Sequence, residues 1–129
     1  MSKQKKILVI DDDANLVAFM TALLQDNGYQ VVSARDGKEG LEKVGTDKPD
    51  VVLLDITMPE KSGVRFYRDL RENAATKALP VIMVTGVMEE FKKFISTRRQ
   101  VPPPEGYLSK PVDKDELLCT IAAILAKKS

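Results

Sequence analysis

Histidine is absent from the 129-residue sequence, and cysteine occurs only once, as Cys119. Zinc and other soft metals draw most of their protein ligands from these two residue types, so such centres are excluded. Cys119 has Leu117, Leu118 and Ile121 around it at helical spacing. This neighbourhood predicts that Cys119 is a small buried hydrophobic residue.

Long hydrophobic runs and an excess of one charge are also absent. After a basic start, Met1 to Lys6, the first apolar run is only Ile7 to Ile10, too short for a signal peptide or a membrane span. The 20 Lys and Arg residues nearly balance the 19 Asp and Glu residues, so the net charge of +1 would not attract nucleic acid or an anionic membrane. We expect a cytoplasmic chain that forms a single domain over residues 1–129, with no second folded unit, and that has a protein or small molecule as partner.

Short apolar or β-branched runs recur along the chain and predict β-strands. Four of them are Ile7–Ile10, Gln30–Ala34, Val51–Leu54 and Val81–Val84, and a fifth strand is expected near Gly106–Ser109. The runs are continuous rather than alternating, which is typical of strands covered on both faces.

Helical patterns lie between these strands. The first ends at Asn27-Gly28, a pair that favours a helix C-terminus, and the last begins with the capping-box-like spacing of Asp113 and Glu116. The other helices are expected at about Gly37–Val44, Gly63–Glu72 and Met88–Arg99. The order βαβαβαβαβα with short connections predicts an α/β fold, a three-layer doubly wound domain with a five-stranded parallel sheet.

Polar side chains follow four of the five predicted strands. Ligands of open α/β sheets bind beyond the carboxyl ends of the strands, so these residues are expected to share one rim. They are Asp11, Asp12 and Asp13 after the first strand, Asp55 after the third, Thr85 after the fourth and Lys110 after the fifth. Each alone is weak evidence, because an aspartate there is usually a helix cap, a threonine usually satisfies local backbone and a lysine is usually solvated. Asp13 fits the role of a helix cap best. The presence of all these polar residues together on one rim favours a functional site.

The chemistry of this rim indicates a hard cation and a phosphate. Asp11, Asp12 and Asp55 repel one another when brought close, by roughly 1 kcal/mol per pair in water-like surroundings and about 4 kcal/mol at an effective dielectric constant of about 20. A divalent cation converts this repulsion into binding, and an all-oxygen shell suits Mg²⁺. Asp55 is the predicted phosphoryl acceptor, with Lys110 pairing with phosphate oxygens and Thr85 donating a hydrogen bond to one of them.

Five motifs in this order resemble the receiver domain of bacterial two-component response regulators, and the resemblance runs from Lys6 to the C-terminus. They are Val9-Ile10-Asp11-Asp12, Asp55-Ile56-Thr57-Met58-Pro59 followed by Gly63, Val84-Thr85-Gly86, Tyr107, and Lys110-Pro111. The resemblance implies a flavodoxin-like (βα)5 fold with strand order 2-1-3-4-5. It also implies that the chain is not an enzyme but a phosphoacceptor switch of phosphorelay signal transduction, with no output domain. This switch would assist its own phosphorylation and dephosphorylation.

The resemblance further assigns roles to the residues of the rim. It implies that Asp12, Asp55 and the backbone carbonyl of Thr57 bind Mg²⁺ directly and that Asp11 binds it through water. A sensor histidine kinase or a histidine phosphotransfer protein would donate the phosphoryl group to Asp55. Thr85 and Lys110 complete the implied catalytic set.

A second group of implied roles concerns the output of the switch. Thr85 would turn toward the phosphoryl group and Tyr107 would rotate into the space it leaves, reshaping the face formed by helix four, strand five and helix five. A downstream protein partner is expected on that face, and phosphorylation-dependent homodimerisation is one outcome. Thr57 and Val87 occupy positions that tune phosphoryl lifetime, and Val87 cannot hold an attacking water by hydrogen bonding, so rapid hydrolysis is not expected. Pro111 is the cis-peptide candidate.

The segment from Val87 to Gly106 departs from the usual pattern of the family. Phe91, Phe94 and Ile95 form a helical stripe, and the residues from Arg98 lead into three prolines at 102–104. The stripe is either core with the arginines facing solvent, or a partner-specific surface on the output face.

Three other functions share part of this pattern. A phosphoaspartyl phosphatase normally has a second aspartate two residues after its nucleophile; Thr57 stands there instead, but Asp11 and Asp13 have that spacing and keep this alternative open. A flavin module of the same architecture needs a first loop rich in threonine, serine and glycine, whereas Asp11 to Asp13 would repel its phosphate. A constitutive interaction domain that has lost phosphorylation would lack a residue of the pocket, and none is missing.

Overall fold

A computed structural model describes residues 4–55, 62–85, 106–109 and 112–128. The predicted helix near Met88–Arg99 and the prolines at 102–104 lie outside these ranges. In the part of the chain that is described, no helix is long and apolar enough to span a membrane.

The described residues form a single parallel sheet with helices in the connections. The strands are β1 (Lys6–Ile10), β2 (Gln30–Ala34), β3 (Val51–Asp55), β4 (Val81–Thr85) and β5 (Gly106–Ser109). The helices are α1 (Ala14–Asp26), α2 (Gly37–Asp47), α3 (Ser62–Glu72) and a helix at Lys114–Lys128, called here the last helix. Neighbouring strands pair in parallel in the order β2-β1-β3-β4-β5, which confirms the predicted fold.

The register of the strands aligns their carboxyl ends. Ile10, the last residue of β1, pairs with Ala34 on one side and with Leu54 on the other. On β3, Asp55 pairs with Val84 of β4. The residue that follows β1 and the residue that ends β3 therefore lie side by side at one edge of the sheet.

The sheet is covered on both faces, as the continuous apolar runs predict. Alternate residues of a strand point to opposite faces. Leu8 and Ile10 pack in a cluster with α2 and α3, whereas Ile7 and Val9 pack in a second cluster with α1 and the last helix. All four side chains are fully buried, and at about 25 cal/mol per Å² of apolar surface this burial is the main stabilisation of β1.

The predicted C-terminus of the first helix and the predicted N-terminus of the last helix are confirmed by their caps. α1 ends at Asp26, with Asn27 as its C-cap and Gly28 at φ 89°, a backbone region that glycine adopts without a steric penalty. At the start of the last helix, the Asp113 carboxylate accepts the backbone N–H of Glu116 at 2.9 Å. This contact satisfies one of the free N–H groups of the first turn.

The second helix extends one turn further than the predicted end at Val44. It continues to Asp47 and is closed by Lys48 in the left-handed conformation, at φ 48° and ψ 64°. The backbone N–H of Lys48 donates to the Val44 carbonyl at 3.3 Å. A lysine in this conformation gives no glycine-like signal in the sequence, and the polar residues of the last turn give no apolar stripe.

Cys119 is exposed, so the prediction that it is buried is wrong. The buried face of the last helix is marked by Leu117, Ile121 and Leu125, which recur at intervals of four residues. Successive helical residues are about 100° apart, so Cys119, two residues beyond Leu117, lies on the opposite face of the helix.

A buried arginine holds the connection between α3 and β4. Arg71 is 8% exposed, and its guanidinium donates to the carbonyls of Lys77 and Leu79 at 3.1 and 2.6 Å. It also donates to the hydroxyl of the fully buried Tyr67 at 3.2 Å and lies 4.8 Å from the centroid of that ring. These contacts compensate for removing the charge from water and fix the loop that leads into β4.

Gly40 allows α2 to approach the sheet closely, and we expect Gly40→Ala to destabilise the protein by about 1–3 kcal/mol, the usual cost of overpacking. A Cβ atom at this position would lie 2.6 Å from the Ile10 side chain and 3.0 Å from Phe66. The matched control is Gly45→Ala on the same helix, where a Cβ would meet nothing within 4 Å. Urea denaturation should show the control unchanged or stabilised by up to about 1 kcal/mol, and an equal effect of both substitutions would refute the steric argument.

Candidate functional site

Three carboxylates meet at the carboxyl edge of the sheet. One oxygen each from Asp11, Asp12 and Asp55 lies within 4.8 Å of the others. Asp11 is 2% exposed and Asp55 is 3% exposed, whereas Asp12 is exposed. The predicted convergence of these three residues is therefore present, with two buried carboxylates and one that faces solvent.

The conformation of Asp11 is fixed by its backbone and by its side chain. Its N–H donates to the Ala34 carbonyl of β2 at 3.1 Å. Its Oδ1 atom accepts the backbone N–H of Asp13 at 2.9 Å, the local turn that aspartate side chains favour. The Ala34 contact is not predictable from the sequence, because a backbone carbonyl is present at every position.

Asp13 lies outside the carboxylate cluster and caps α1, which confirms the cap interpretation. Its Oδ1 atom accepts the backbone N–H groups of Asn15 and Leu16 at 3.0 and 3.2 Å. Its φ and ψ of −89° and 103° are those of an extended N-cap residue. Its carboxylate is therefore turned to the helix.

The other predicted site residues are placed only in part. Thr85 is the last residue of β4, one position beyond the residue that pairs with Asp55, and its own partner on β5 is Ser109. Tyr107 lies on β5 opposite Met83, with its side chain 42% exposed. The remaining predicted residues lie outside the described ranges: Thr57, Val87, Lys110 and Pro111.

The cluster of Asp11, Asp12 and Asp55 has the chemistry of a site for a hard divalent cation. Its donors are all carboxylate oxygens, which Mg²⁺ and Ca²⁺ prefer to nitrogen or sulfur. Two like charges about 4 Å apart cost roughly 1 kcal/mol in water and more where burial reduces solvent screening. A cation placed among the three carboxylates would turn this repulsion into attraction.

A groove of about 860 Å³ lies toward the N-terminal ends of the strands, between the C-terminal parts of α2 and α3. Its walls include Val44, Lys48 and Pro49 on one side and Leu70 and Thr76 on the other. Pro49 immediately precedes the start of β3 at Val51, whereas Asp55 ends that strand. The groove is therefore separated from the carboxylates by the length of a strand.

Comparison with known proteins identifies relatives over nearly the whole chain. A family model described as the response regulator receiver domain matches residues 7–122. Protein PilH of Pseudomonas aeruginosa is 41% identical over 121 residues, covering 94% of this chain and 98% of PilH. The alkaline phosphatase synthesis transcriptional regulatory protein PhoP of Bacillus subtilis is 34% identical over 123 residues, covering 95% of this chain but only 49% of PhoP.

Solved structures give the same result for the fold. The chemotaxis protein CheY4 of Vibrio cholerae superposes with a TM-score of 0.83 at 31% identity, covering 95% of this chain and 99% of that one. A putative response regulator from Chloroflexus aurantiacus superposes with a TM-score of 0.84 at 28% identity, covering 96% of this chain and 99% of that one. The fold of this chain thus occurs in solved response regulators of other organisms.

Proposed function

The chain belongs to the response regulator receiver domain family, whose members act as phosphoacceptor switches in two-component systems, and on this premise we propose that Asp55 accepts a phosphoryl group in a Mg²⁺-dependent reaction. The observation that carries the proposal is the convergence of Asp11, Asp12 and Asp55 within 4.8 Å at the edge where β1 and β3 end. A structural role alone does not account for bringing three like charges together.

The oxygen donors of the cluster fit Mg²⁺, which keeps several waters and binds through one or two carboxylates plus phosphate oxygens. Asp12, Asp55 and the backbone carbonyl of Thr57 are the proposed direct ligands. Asp11, buried and tied through Oδ1 to the Asp13 N–H, would act through water. When bound, the ion supplies positive charge that offsets the charge of the transferring phosphoryl group.

The proposed transfer begins from a phosphohistidine of a sensor histidine kinase or a histidine phosphotransfer protein. An Asp55 carboxylate oxygen attacks the phosphorus and forms an acyl phosphate. The bond from phosphorus to the imidazole nitrogen breaks, and its electron pair stays on that nitrogen. Asp55 ends a central strand that is buried along its length, which supports this proposal because a fixed backbone would present the carboxylate to the phosphorus from a defined direction.

Lys110 and Thr85 are proposed to complete the catalytic set. β4 and β5 end side by side, with Thr85 opposite Ser109. Lys110 is the next residue in the sequence after Ser109, which supports a shared role for Thr85 and Lys110. Lys110 would pair with phosphoryl oxygens, and the Thr85 hydroxyl would donate a hydrogen bond to one of them. Thr57 and Val87 would tune the lifetime of the phosphoryl group, and a cis peptide before Pro111 would direct Lys110 into the pocket.

The proposed output is a change in the surface around β5. Thr85 would turn toward the phosphoryl group and Tyr107 would turn inward. Tyr107 is 42% exposed on the edge strand, so it has a solvated position from which an inward rotation would remove apolar surface. A downstream protein, or a second copy of the chain, would bind the face formed by β5, the last helix and the segment before β5.

The cap of α1 counts against the phosphatase alternative. That alternative needs Asp13 as an acid-base group two residues after a nucleophilic Asp11. Asp13 instead accepts two backbone N–H groups of α1, and the Oδ1 atom of Asp11 accepts the Asp13 N–H. Both carboxylates are therefore engaged with the corner between β1 and α1.

The proposal is tested by incubating the protein with a low-molecular-weight phosphodonor such as acetyl phosphate, with Mg²⁺ or with EDTA, and measuring the intact mass. We expect the increment of one phosphoryl group with Mg²⁺ and none with EDTA, because the three carboxylates repel an incoming phosphate unless a cation offsets them. Mg²⁺ restored in excess over EDTA should restore the increment. An increment of the same size without divalent cations would overturn the proposed mechanism.

A further inference from the structure

Asp13, the third aspartate of the run, makes contacts that the proposed chemistry does not use. We propose that it is a positioning residue for the Mg²⁺ site, because its carboxylate caps α1 and thereby holds the corner that presents Asp11 and Asp12 to the ion. This inference rests on the proposed function, since it assigns a role toward the ion that the function requires.

The first step of the argument is the cap. The first N–H groups of a helix have no partner within the helix. The Asp13 Oδ1 atom accepts those of Asn15 and Leu16 at 3.0 and 3.2 Å, and the Asp13 carbonyl accepts the N–H of Val17 at 3.0 Å. Three hydrogen bonds thus fix Asp13 relative to α1.

The second step joins the capped residue to the carboxylate cluster. The Asp13 N–H donates to the Asp11 Oδ1 atom at 2.9 Å, and the Asp11 N–H donates to the Ala34 carbonyl at 3.1 Å. The corner is therefore tied to α1 on one side and to β2 on the other. Asp12, the exposed member of the cluster, lies between these two tied residues, and its direction is set by the backbone on either side.

The third step concerns what happens when the cap is removed. Without the Asp13 carboxylate, the N–H groups of Asn15 and Leu16 turn to water and the first turn of α1 frays. The Asp13 N–H then no longer has a fixed direction, so its hydrogen bond to the Asp11 Oδ1 atom orients that carboxylate less firmly. Removing groups that orient metal ligands typically lowers metal affinity by about 10–100-fold.

The test compares Mg²⁺ dissociation constants, measured by isothermal titration calorimetry, for the wild type, Asp13→Ala and Asp13→Asn. We expect Asp13→Ala to bind Mg²⁺ about tenfold more weakly. Asparagine is as good an N-cap as aspartate, so Asp13→Asn should stay within about threefold of the wild type, the lost charge being exposed and screened. Asp13→Ser, a second cap-forming variant, should behave like Asp13→Asn.

Asp36→Ala is the matched control for a loss of stability alone. Asp36 caps α2 by accepting the N–H of Glu39 at 2.9 Å, so its replacement removes one cap and one charge from another helix. Asp36→Ala should lower the melting temperature as Asp13→Ala does, yet leave Mg²⁺ affinity unchanged. In the metal-free protein, hydrogen exchange of the backbone amides at position 13 and at Leu16 should be faster than in the wild type for Asp13→Ala but not for Asp36→Ala.

The outcomes separate this inference from the proposed function. Wild-type protein that binds Mg²⁺, together with Asp13→Ala that binds it equally well, would overturn the positioning role alone. An equal loss in Asp13→Ala and Asp13→Asn would also overturn it, because charge rather than capping would then be responsible. Wild-type protein that binds no Mg²⁺ at millimolar concentrations would overturn the proposed function and this inference with it.

Discussion

Asp55→Asn is expected to abolish phosphorylation altogether. The amide of asparagine is nearly the same size as the carboxylate, so the buried end of β3 should keep its packing, but an uncharged amide is a poor nucleophile toward phosphorus. After incubation with acetyl phosphate and Mg²⁺, the wild type should gain the mass of one phosphoryl group and the variant none. Circular dichroism should show that both proteins are folded.

Asp50→Asn is a control at the other end of the same segment. Asp50 immediately precedes β3, and its Oδ2 atom accepts the backbone N–H of Lys6 at 2.8 Å, a contact that an asparagine side-chain oxygen can also make. This variant should be phosphorylated to the same extent as the wild type. A mass increment on Asp55→Asn equal to that on the wild type would remove Asp55 from the mechanism.

Asp12→Ala is expected to eliminate Mg²⁺ binding while leaving the metal-free protein at least as stable as the wild type. The substitution removes a proposed direct ligand, and it also removes the exposed carboxylate that repels Asp11 and Asp55. Each close pair of like charges costs roughly 1 kcal/mol in water-like surroundings, so relief of two pairs offsets the small loss of side-chain contacts. Calorimetric titration measures the affinity, and thermal unfolding in EDTA measures the stability.

Asp26→Ala removes the same charge from the other end of α1, where Asp26 is exposed in the last turn. Mg²⁺ affinity should be unaffected by it, since the ion would lie at the N-terminal end of that helix. A clear loss of stability in Asp12→Ala without metal would show that the three carboxylates are not under mutual repulsion. Mg²⁺ binding as tight as in the wild type would show that Asp12 is not a ligand.

The fold follows from the sequence because its strongest signals are independent of side-chain detail. Continuous apolar runs such as Ile7–Ile10 and Val51–Leu54 predict strands that are buried on both faces, and these residues are buried. Caps such as Asp13 and Asp113 act through a side-chain carboxylate that accepts backbone N–H groups, so the starts of their helices can be predicted from the residue type. The predicted end of α2 at Val44 lies before the observed end at Asp47, because Lys48 adopts a left-handed conformation that is not evident from its residue type.

The site follows from the sequence only at the level of which residues meet. Parallel strands end on the same side of the sheet, and the strand order 2-1-3-4-5 implied by the family resemblance places β1 beside β3, so the aspartates after these two strands were expected to lie close together. The division into buried Asp11 and Asp55 and exposed Asp12 was not predictable, since it depends on how the corner before α1 turns. Contacts made by backbone groups, such as the Ala34 carbonyl with Asp11, leave no trace in the amino-acid pattern.

The burial of individual helix residues is also poorly predicted from the sequence, for a similar physical reason. The burial of Cys119 was inferred from its apolar neighbours in sequence, but the face of a helix is decided by angle rather than by proximity along the chain. The buried Arg71 was not foreseen because a single arginine at helical spacing from Tyr67 is indistinguishable from a surface residue until the loop at Lys77 and Leu79 folds over it.

The order of the strands also bears on how the protein is made. Asp11 and Asp55 become neighbours only when β1 pairs with β3, although α1, β2 and α2 lie between them in the chain. Pairings between segments so far apart in sequence form slowly, because closing the intervening loop costs entropy before any contact compensates for it. A nascent or partly unfolded chain would thus have no assembled acceptor site, and a kinase could not phosphorylate it. Phosphorylation would therefore be confined to chains in which the sheet is complete.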